Sequence, residues 1–446
     1  MRTRLALCLG LAAAACKKDA PPPPSPAPSS SAPLASAPAP SVVAESLPRC
    51  RTEGARLALP GDDVVVGDAV VTADALWVGV VRREGTKRLA SLVKASLDLA
   101  SQKVIDVGPS VGDDPPPSPR MARGAIHVAY FGRAPRKLQL AKVDAAAGAV
   151  GKTDVTIAQQ SDESLAYDIA WPEGDGAPLV AWDEDAPPST DVSKVPVVGL
   201  PDRGIVRVQL AAEGAKSRVA SPESSDAESP RLLPRRGGFW LAWLARRPEP
   251  REDGGVRAEG PGEHRAFRWV EIVALDAKGE ATSPVKRVSP ERGRVVSFEL
   301  ARSGNETDLV VLVQDEAARA EGGGERLVRY GVEGEKAEKI EGSELVDAGV
   351  GQALAELVPA PSAAPPSRWL SFADVQERTH LLPLAPAVRA AGAATAEPGL
   401  DGARVLASGA GDILFAVGPA NGEVGGRAGA AAKAGDRVEL RRLSCK

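Results

Sequence analysis

A short apolar run recurs along most of the chain and limits the folds that this sequence can adopt. Each copy follows a turn that contains glycine or aspartate, and precedes a variable loop and a second apolar segment. Such runs, bounded by Gly, Pro, Asp and Ser, are typical of β-strands. Seven copies align, on Leu76, Ile126, Leu179, Phe239, Leu309, Trp369 and Ile413. They lie 44 to 70 residues apart, so about 400 residues divide into seven similar β units.

This repeat favours a β-propeller of seven blades, each with four antiparallel strands. The body, residues 49–446, is then one propeller-like domain. The resemblance is to propellers as a class and to no named family, because no Trp-Asp dipeptide or Asp-box appears at a regular position. An array of β-sandwich domains is the alternative. Tryptophans in the recurrent strand, such as Trp77 and Trp240, are expected to fill the space between blades.

The cysteines favour a closed body. Cys50 lies just before the first predicted strand, and Cys445 is the penultimate residue. The two can pair in an oxidising compartment if the ends of the body meet, with α-carbons within about 7 Å. A propeller closes by pairing its first strand with its last, so we expect a Cys50–Cys445 disulfide. A row of separate domains gives no reason for one.

The N-terminus has the pattern of a secretory signal peptide, which we assign to residues 1–15. Two arginines precede an uncharged segment, residues 5–15, that is too short for a membrane span of about 20 residues. The end of this segment, Ala13-Ala14-Ala15-Cys16, resembles the lipobox of bacterial lipoproteins. The resemblance implies that Cys16 is diacylated, for example by palmitate, and becomes the new N-terminus.

Two features of the lipobox leave the type of cleavage open. Ala13 stands where the family most often has leucine, and Ala13-x-Ala15 also suits an ordinary signal peptidase. Cysteine parity favours lipidation: Cys8 leaves with the signal peptide, and an unmodified Cys16 would be an unpaired exported thiol. We therefore expect an outer-membrane lipoprotein that faces the periplasm or the cell surface. Position 17 is a lysine. By resemblance to enterobacterial sorting, the absence of aspartate at this position favours the outer membrane.

Residues 16–48 form a linker dominated by Pro, Ala and Ser. Such a composition cannot bury a core and favours an extended polyproline form that rises about 3.1 Å per residue. The linker would reach on the order of 80 Å. Its predicted role is to hold the body away from the membrane.

Charge and motifs exclude several function classes. After loss of the two signal-peptide arginines, 53 Lys and Arg oppose 59 Asp and Glu, without a basic block, so nucleic acid is not an expected partner. No metal or cofactor is expected, since His127, His264 and His380 are over 100 residues apart and the common catalytic motifs are missing. The acidic cluster Asp183–Asp185 is interpreted as a solvated loop.

Two function hypotheses follow. Long segments at 183–204, 245–266, 314–326 and 418–436 each follow the recurrent strand and would emerge on one face, a candidate surface for a protein or polysaccharide partner. The first hypothesis is a non-catalytic binding or scaffolding module. The second is a secreted hydrolase or lyase with a dispersed carboxylate site. Two or more acids and an arginine in the central channel would favour the second, and small apolar residues the first.

Overall fold

The computed structural model divides the chain into two units, Met1–Ser46 and Leu47–Lys446. The residues that the structure describes all belong to the second unit. They are residues 50–61, 64–110, 116–132, 137–144, 150–155, 166–186, 203–248, 266–303, 308–316, 324–351, 355–358, 368–385, 388–390, 393–397, 400, 402–409, 413–419 and 437–445.

These residues form 29 strands in seven antiparallel sheets. Blade 1 contains β2 (Val65–Val71), β3 (Ala75–Glu84), β4 (Lys87–Ser96) and β5 (Gln102–Pro109), and blade 2 contains β6 (Ser118–Ala122), β7 (Ala125–Gly132), β8 (Lys137–Val143) and β9 (Val150–Val155). Blade 3 contains β10 (Tyr167–Ala170), β11 (Leu179–Asp185), β12 (Gly204–Leu210) and β13 (Arg218–Val219), and blade 4 contains β14 (Asp226–Arg235), β15 (Gly238–Pro248), β16 (Ala266–Asp276) and β17 (Lys286–Arg287).

The remaining strands complete the ring. Blade 5 contains β18 (Val295–Arg302), β19 (Leu309–Glu316), β20 (Glu325–Glu333) and β21 (Lys339–Val350), and blade 6 contains β22 (Glu356–Val358), β23 (Arg368–Ala373), β24 (Thr379–Ala385) and the short β25 (Arg389–Ala390) and β26 (Thr395–Ala396). Blade 7 contains β27 (Arg404–Gly409), β28 (Ile413–Pro419), β29 (Val438–Cys445) and β1 (Cys50–Ala58).

The architecture is the predicted seven-bladed β-propeller. The recurrent run is the second strand of every blade, in β3, β7, β11, β15, β19, β23 and β28. The first strand of each blade lies nearest the axis of a propeller, and all first strands run in the same direction. Every connection from a second to a third strand therefore leaves one face, which we call the long-loop face. The turns between first and second strands lie on the opposite face, the turn face.

Seven apolar clusters hold the blades together, one at each junction between consecutive blades. Large aromatic side chains of the second strands supply much of this packing, because the space between blades widens away from the axis. Trp77, Trp182, Trp240 and Trp243 are all less than 2% exposed, and Trp369 is also buried. The tryptophans of the recurrent strand are therefore core residues, as predicted.

The ring closes through strand pairing and a covalent bond. β1, from the N-terminal end of the body, pairs antiparallel with β29, the last strand, so blade 7 is built from both ends. An apolar cluster between blades 7 and 1 joins Phe415 and Leu440 to Leu76. The predicted Cys50–Cys445 disulfide is present, between α-carbons 3.8 Å apart.

Candidate functional site

The first strands of the seven blades bring together seven charged side chains, which we call the channel ring. Each blade contributes one residue, from a strand next to the axis. The members are Asp68, Arg120, Asp168, Arg231, Glu299, Glu356 and Arg404. Four carboxylates and three guanidinium groups thus meet near the axis, although neighbouring members of the ring are far apart in sequence.

Local backbone features direct these side chains. The pairing of β2 with β3 shifts register between Val66 and Ala69, around Asp68, and β14 shifts between Glu228 and Arg231. Bulges of this kind change the direction in which a side chain points. Two ring arginines also share the tripeptide Ser-Pro-Arg, at 118–120 and 229–231. In both, the guanidinium donates to the carbonyl of the preceding proline, at 3.2 Å and 3.1 Å.

Ion pairs join five consecutive members of the ring. Arg404 donates to Glu356 Oε1 at 2.5 Å and to Asp68 Oδ1 at 3.2 Å. Asp68 Oδ2 also accepts from Arg120 Nη1 at 2.9 Å and from the hydroxyl of Ser118 at 2.6 Å. Arg120 Nη2 lies 3.7 Å from Asp168 Oδ1. One continuous chain of charges therefore crosses blades 6, 7, 1, 2 and 3.

The other two members, Arg231 and Glu299, form a separate pair at 3.4 Å. Because the ring has seven positions, charges of alternating sign cannot close it. Two acids must be neighbours, and they are Glu299 in blade 5 and Glu356 in blade 6. The ring therefore has a site of like charge on one side of the channel.

The acids of the ring consequently differ in pKa. Burial acts to raise the pKa of Asp68, but Arg120 and Arg404 hold it well below its usual range. Burial raises the pKa of Glu299 and of Glu356, against the opposing effects of Arg231 and Arg404. Asp68 raises the pKa of both glutamates further, and Glu299 does so for Glu356. Asp68 is thus the most firmly ionised of the three.

The ring remains accessible from the channel. The side chains of Asp68 and Glu299 are 39% and 37% exposed, and that of Asp168 is 13% exposed. Water in the channel therefore reduces the strength of each pair. A ligand that enters can reach both carboxylate and guanidinium groups.

Two aspartates fix the first strands of blades 3 and 4 to each other. Asp168 Oδ2 accepts from Leu232 N at 2.7 Å. Asp183, at the end of β11, accepts from Ala166 N at 2.8 Å and from Ser229 N at 2.7 Å. Burial raises the pKa of Asp183 to about 6. These bonds hold the backbone beside Arg231 in a fixed position.

The acidic cluster Asp183–Asp185 is therefore not the solvated loop that the sequence indicated. All three residues belong to β11, which continues past its apolar run. Glu184 is buried, accepts from Trp182 Nε1 at 3.0 Å and pairs with Arg207. The carboxylates of Asp183 and Glu184 are hydrogen-bonded at a strand end, which a sequence cannot distinguish from a loop.

The predicted site residues that the structure describes, Cys50 and Cys445, lie apart from the ring. Cys50 and Cys445 are on the outer strands of blade 7, while Cys16 and His264 are outside the described residues. His127 faces Trp171, with ring centroids 4.9 Å apart, and His380 contacts Asp374 at 2.8 Å. In the described part of the chain, no three His, Cys, Asp or Glu residues are grouped to hold a metal ion, and no helix has the length and apolarity needed to cross a bilayer.

The four long segments join second to third strands, as predicted. Their strand ends are described: β11 and β12, β15 and β16, β19 and β20, and β28 and β29. The interiors of the segments lie outside the described residues. The ends of these second strands and the starts of the third strands that follow them mark the long-loop face.

Sequence reasoning missed the channel ring. A signal for it exists, since a ring residue lies 6 to 13 positions before the reference residue of each recurrent run. The repeated Ser-Pro-Arg, two blades apart, is a second signal. Neither resembles a catalytic motif.

Comparison with known proteins finds likeness only among solved structures. No protein-family model and no curated protein matches the sequence. Among solved structures, the polysaccharide lyase Uly1 aligns with a TM-score of 0.47 and 11% identity over 87% of this chain and 90% of that one. An acylaminoacyl peptidase aligns with the same TM-score and identity over 85% of this chain and 51% of its own, so the chain spans about half of that peptidase. An aldose sugar dehydrogenase from Streptomyces coelicolor aligns at 13% identity, with a TM-score of 0.36, over 90% of this chain and 98% of that one. All three TM-scores are below 0.5, so no property of these proteins is carried over to this chain.

Proposed function

We propose that the protein is an exported, lipid-anchored binding module that holds a polar partner, a protein or a polysaccharide, at its channel ring without transforming it. The channel ring is the observation that carries this proposal. Carboxylates accept hydrogen bonds and guanidinium groups donate them, so the ring offers both to hydroxyl, amide or carboxylate groups of a partner.

The ion pairs favour binding over catalysis. Asp68 interacts with Arg120 and Arg404, and each of these arginines contacts a second acid as well. Such mutual contacts fix the side chains before a partner arrives, which lowers the entropic cost of binding.

A binding assay tests the role of the ring. The full mature chain is immobilised and exposed to defined polysaccharides and to purified envelope proteins. Arg231→Met removes one guanidinium from the ring and should lower the affinity for the partner about tenfold. Arg56→Met, on the outer strand β1, is the matched control and should bind as the wild type does. Equal binding by the Arg231 variant and the wild type would contradict the proposal.

Anchoring forms the second part of the proposal and depends on Cys16. A lipid on this residue and the Pro-rich spacer would place the propeller at a membrane surface. Cys16→Ser should move the protein from the membrane fraction to the soluble fraction, because serine has no thiol to carry the acyl chains that would hold it at the membrane. A Cys16→Ser protein that sediments with membranes like the wild type would refute lipid anchoring.

A hydrolase or lyase is the second candidate, and the channel lining favours it. Acids and arginines converge on the channel, which is the lining expected of an enzyme with a dispersed carboxylate site. The opposed pKa shifts of Asp68 and Glu356 are also typical of paired catalytic acids and bases. Incubation of the bound partner followed by product analysis separates the two functions. Cleavage that Glu356→Gln abolishes would establish catalysis, and an intact partner would support binding alone.

A further inference from the structure

A cleft of about 490 Å³ lies between blades 2 and 3, away from the channel ring. It is bounded by the turn after β6, by residues 176–178 of the connection from β10 to β11, and by Ala211 after β12. First-to-second and third-to-fourth strand connections share one side of a propeller. The cleft therefore opens on the turn face, opposite the long-loop face.

Four basic residues line this cleft. The side chain of Lys152 extends toward Gly108 of blade 1, and the other three surround the cleft. His127 and Lys142 are directly paired across β7 and β8. Phe131 and Leu140 lie on the same face of β7 and β8 as His127 and Lys142. Because Phe131 and Leu140 pack in the cluster between blades 2 and 3, His127 and Lys142 also point toward blade 3. Arg123 completes the group and donates to the carbonyls of Gly174 and Gly176, at 2.8 Å and 2.5 Å.

The charge of the cleft has one sign. None of the described residues that line it is Asp or Glu, although acidic residues outnumber basic ones in the whole chain. The neighbouring acids, Asp144, Glu173 and Asp175, are exposed and are not part of the lining. Burial, Lys142 and Arg123 together lower the pKa of His127, which is consistent with a local excess of positive charge. An anion is the group that this environment favours.

Most of the remaining wall is apolar. Trp171 is partly buried, packs against the cluster between blades 2 and 3, and also lines the cleft. Leu140 and Pro178 extend this apolar surface, while Thr153 provides a hydroxyl group. An indole beside hydroxyl and cationic groups suits a ring that has an apolar C–H face and polar edges.

We propose that this cleft binds a sugar ring that carries a carboxylate. Lys142 and Arg123 interact with the carboxylate, the sugar stacks on Trp171, and Thr153 hydrogen-bonds a ring hydroxyl. The cleft is separate from the channel ring, so this site goes beyond the function proposed above. It would give the propeller a second binding surface on its turn face.

Calorimetric titration of the full mature chain tests the site with three probes. D-glucuronate has both the ring and the charge, D-glucose has only the ring, and acetate has only the charge. Glucuronate should bind at least about tenfold more tightly than either of the others, because only it uses both walls. Equal affinity for glucuronate and acetate, or no heat with millimolar glucuronate, would overturn the proposal.

Variants locate the binding. Lys142→Met and Trp171→Leu should each weaken glucuronate binding about tenfold. Lys103→Met, an exposed lysine on the outer strand of blade 1, is the matched control and should leave affinity unchanged. Since Lys142 is exposed, its variant should keep the urea unfolding midpoint of the wild type. If Arg231→Met abolished glucuronate binding and Lys142→Met did not, the ligand would belong to the channel and the cleft proposal would be wrong.

Discussion

At the scale of single residues, Asp68 connects three blades through its contacts in the channel ring. It accepts from Ser118 and pairs with Arg120 and Arg404, so it links blades 7, 1 and 2. A neutral side chain there would remove the negative charge that Arg120 and Arg404 share, and would leave the two positive charges to repel each other. Partial exposure to channel water limits the resulting cost.

Asp68→Asn should lower the free energy of unfolding by about 1–2 kcal/mol at pH 7, a value reduced for solvent screening. The folded-state pKa of Asp68 is depressed, so its contribution is complete above its unfolded pKa of about 3.9 and declines as pH falls below it. The difference between variant and wild type should therefore shrink in acid. Urea unfolding at pH 7 and pH 3.5 measures both effects. Asp74→Asn, an exposed acid with a lysine partner, should change the stability by under about 0.5 kcal/mol.

The pKa of Glu325 is shifted in the opposite direction to that of Asp68. Glu325 is 6% exposed, and burial raises the pKa of its carboxyl to about 7 despite a hydrogen bond from Gln314. The native state therefore holds a proton that the unfolded chain releases between about pH 4.3 and 7. Through this interval, the contribution of Glu325 to stability falls as pH rises.

Glu325→Gln removes the ionisable group and keeps an acceptor for Gln314. The variant should match the wild type near pH 4 and exceed it by about 2 kcal/mol at pH 8. Urea midpoints across this range provide the measurement, with the exposed Glu335→Gln as the control. Asp183 would still give the variant some pH dependence near pH 6. If Glu325→Gln had the same pH profile of stability as the wild type, ionisation of Glu325 would not lower the free energy of unfolding and the prediction would be wrong.

At the scale of elements, the second strand of blade 1 shows how closely the blades approach one another. Gly79 in β3 leaves room for blade 2: a β-carbon there would lie 2.2 Å from the carbonyl oxygen of Pro117. Backbone, not a flexible side-chain end, would have to move. Gly54 in β1 has no heavy atom within 4 Å of the same position.

Gly79→Ala should therefore destabilise the protein by about 3 kcal/mol through overpacking. Gly54→Ala, also in a strand, should stay within about 0.5 kcal/mol of the wild type. Urea unfolding midpoints compare the two directly. Equal midpoints for both variants would mean that blades 1 and 2 can separate locally without loss of packing.

Element type was predictable where burial is complete, and less so elsewhere. Second strands such as β19 pack on both faces and appear as continuous apolar runs, so all seven were found from the sequence. First strands such as β22 (Glu356–Val358) are short and carry a charge, and outer strands such as β13 have two residues. The channel ring was missed for this reason, because its contacts depend on the position of the axis and not on spacing within the chain.

At the scale of the whole molecule, closure determines whether seven blades act as one structure. Each blade packs on two neighbours, and the junction between blades 7 and 1 joins parts of the chain separated by almost its full length. β1 also pairs with β29, and the disulfide spans 395 residues. In the unfolded chain, strand pairing is lost and the disulfide alone restricts the ends.

Replacement of both Cys50 and Cys445 by serine should consequently act mainly on the unfolded state. A loop of this length gives about 6 kcal/mol in the chain-entropy model, and measured losses are commonly about 2–5 kcal/mol. The fold should persist, because the pairing of β1 with β29 and the cluster around Phe415 remain.

Hydrogen exchange distinguishes this account from one in which the disulfide holds the native ring together. Loss of the bond should lower the free energy of unfolding measured in urea, while amides of β1 and β29 stay protected under native conditions. Wild-type protein treated with a reductant should match the double serine variant, which controls for the substitutions. If β1 amides exchanged freely in the variant while β3 stayed protected, the last blade would be closed by the disulfide and not by its strands.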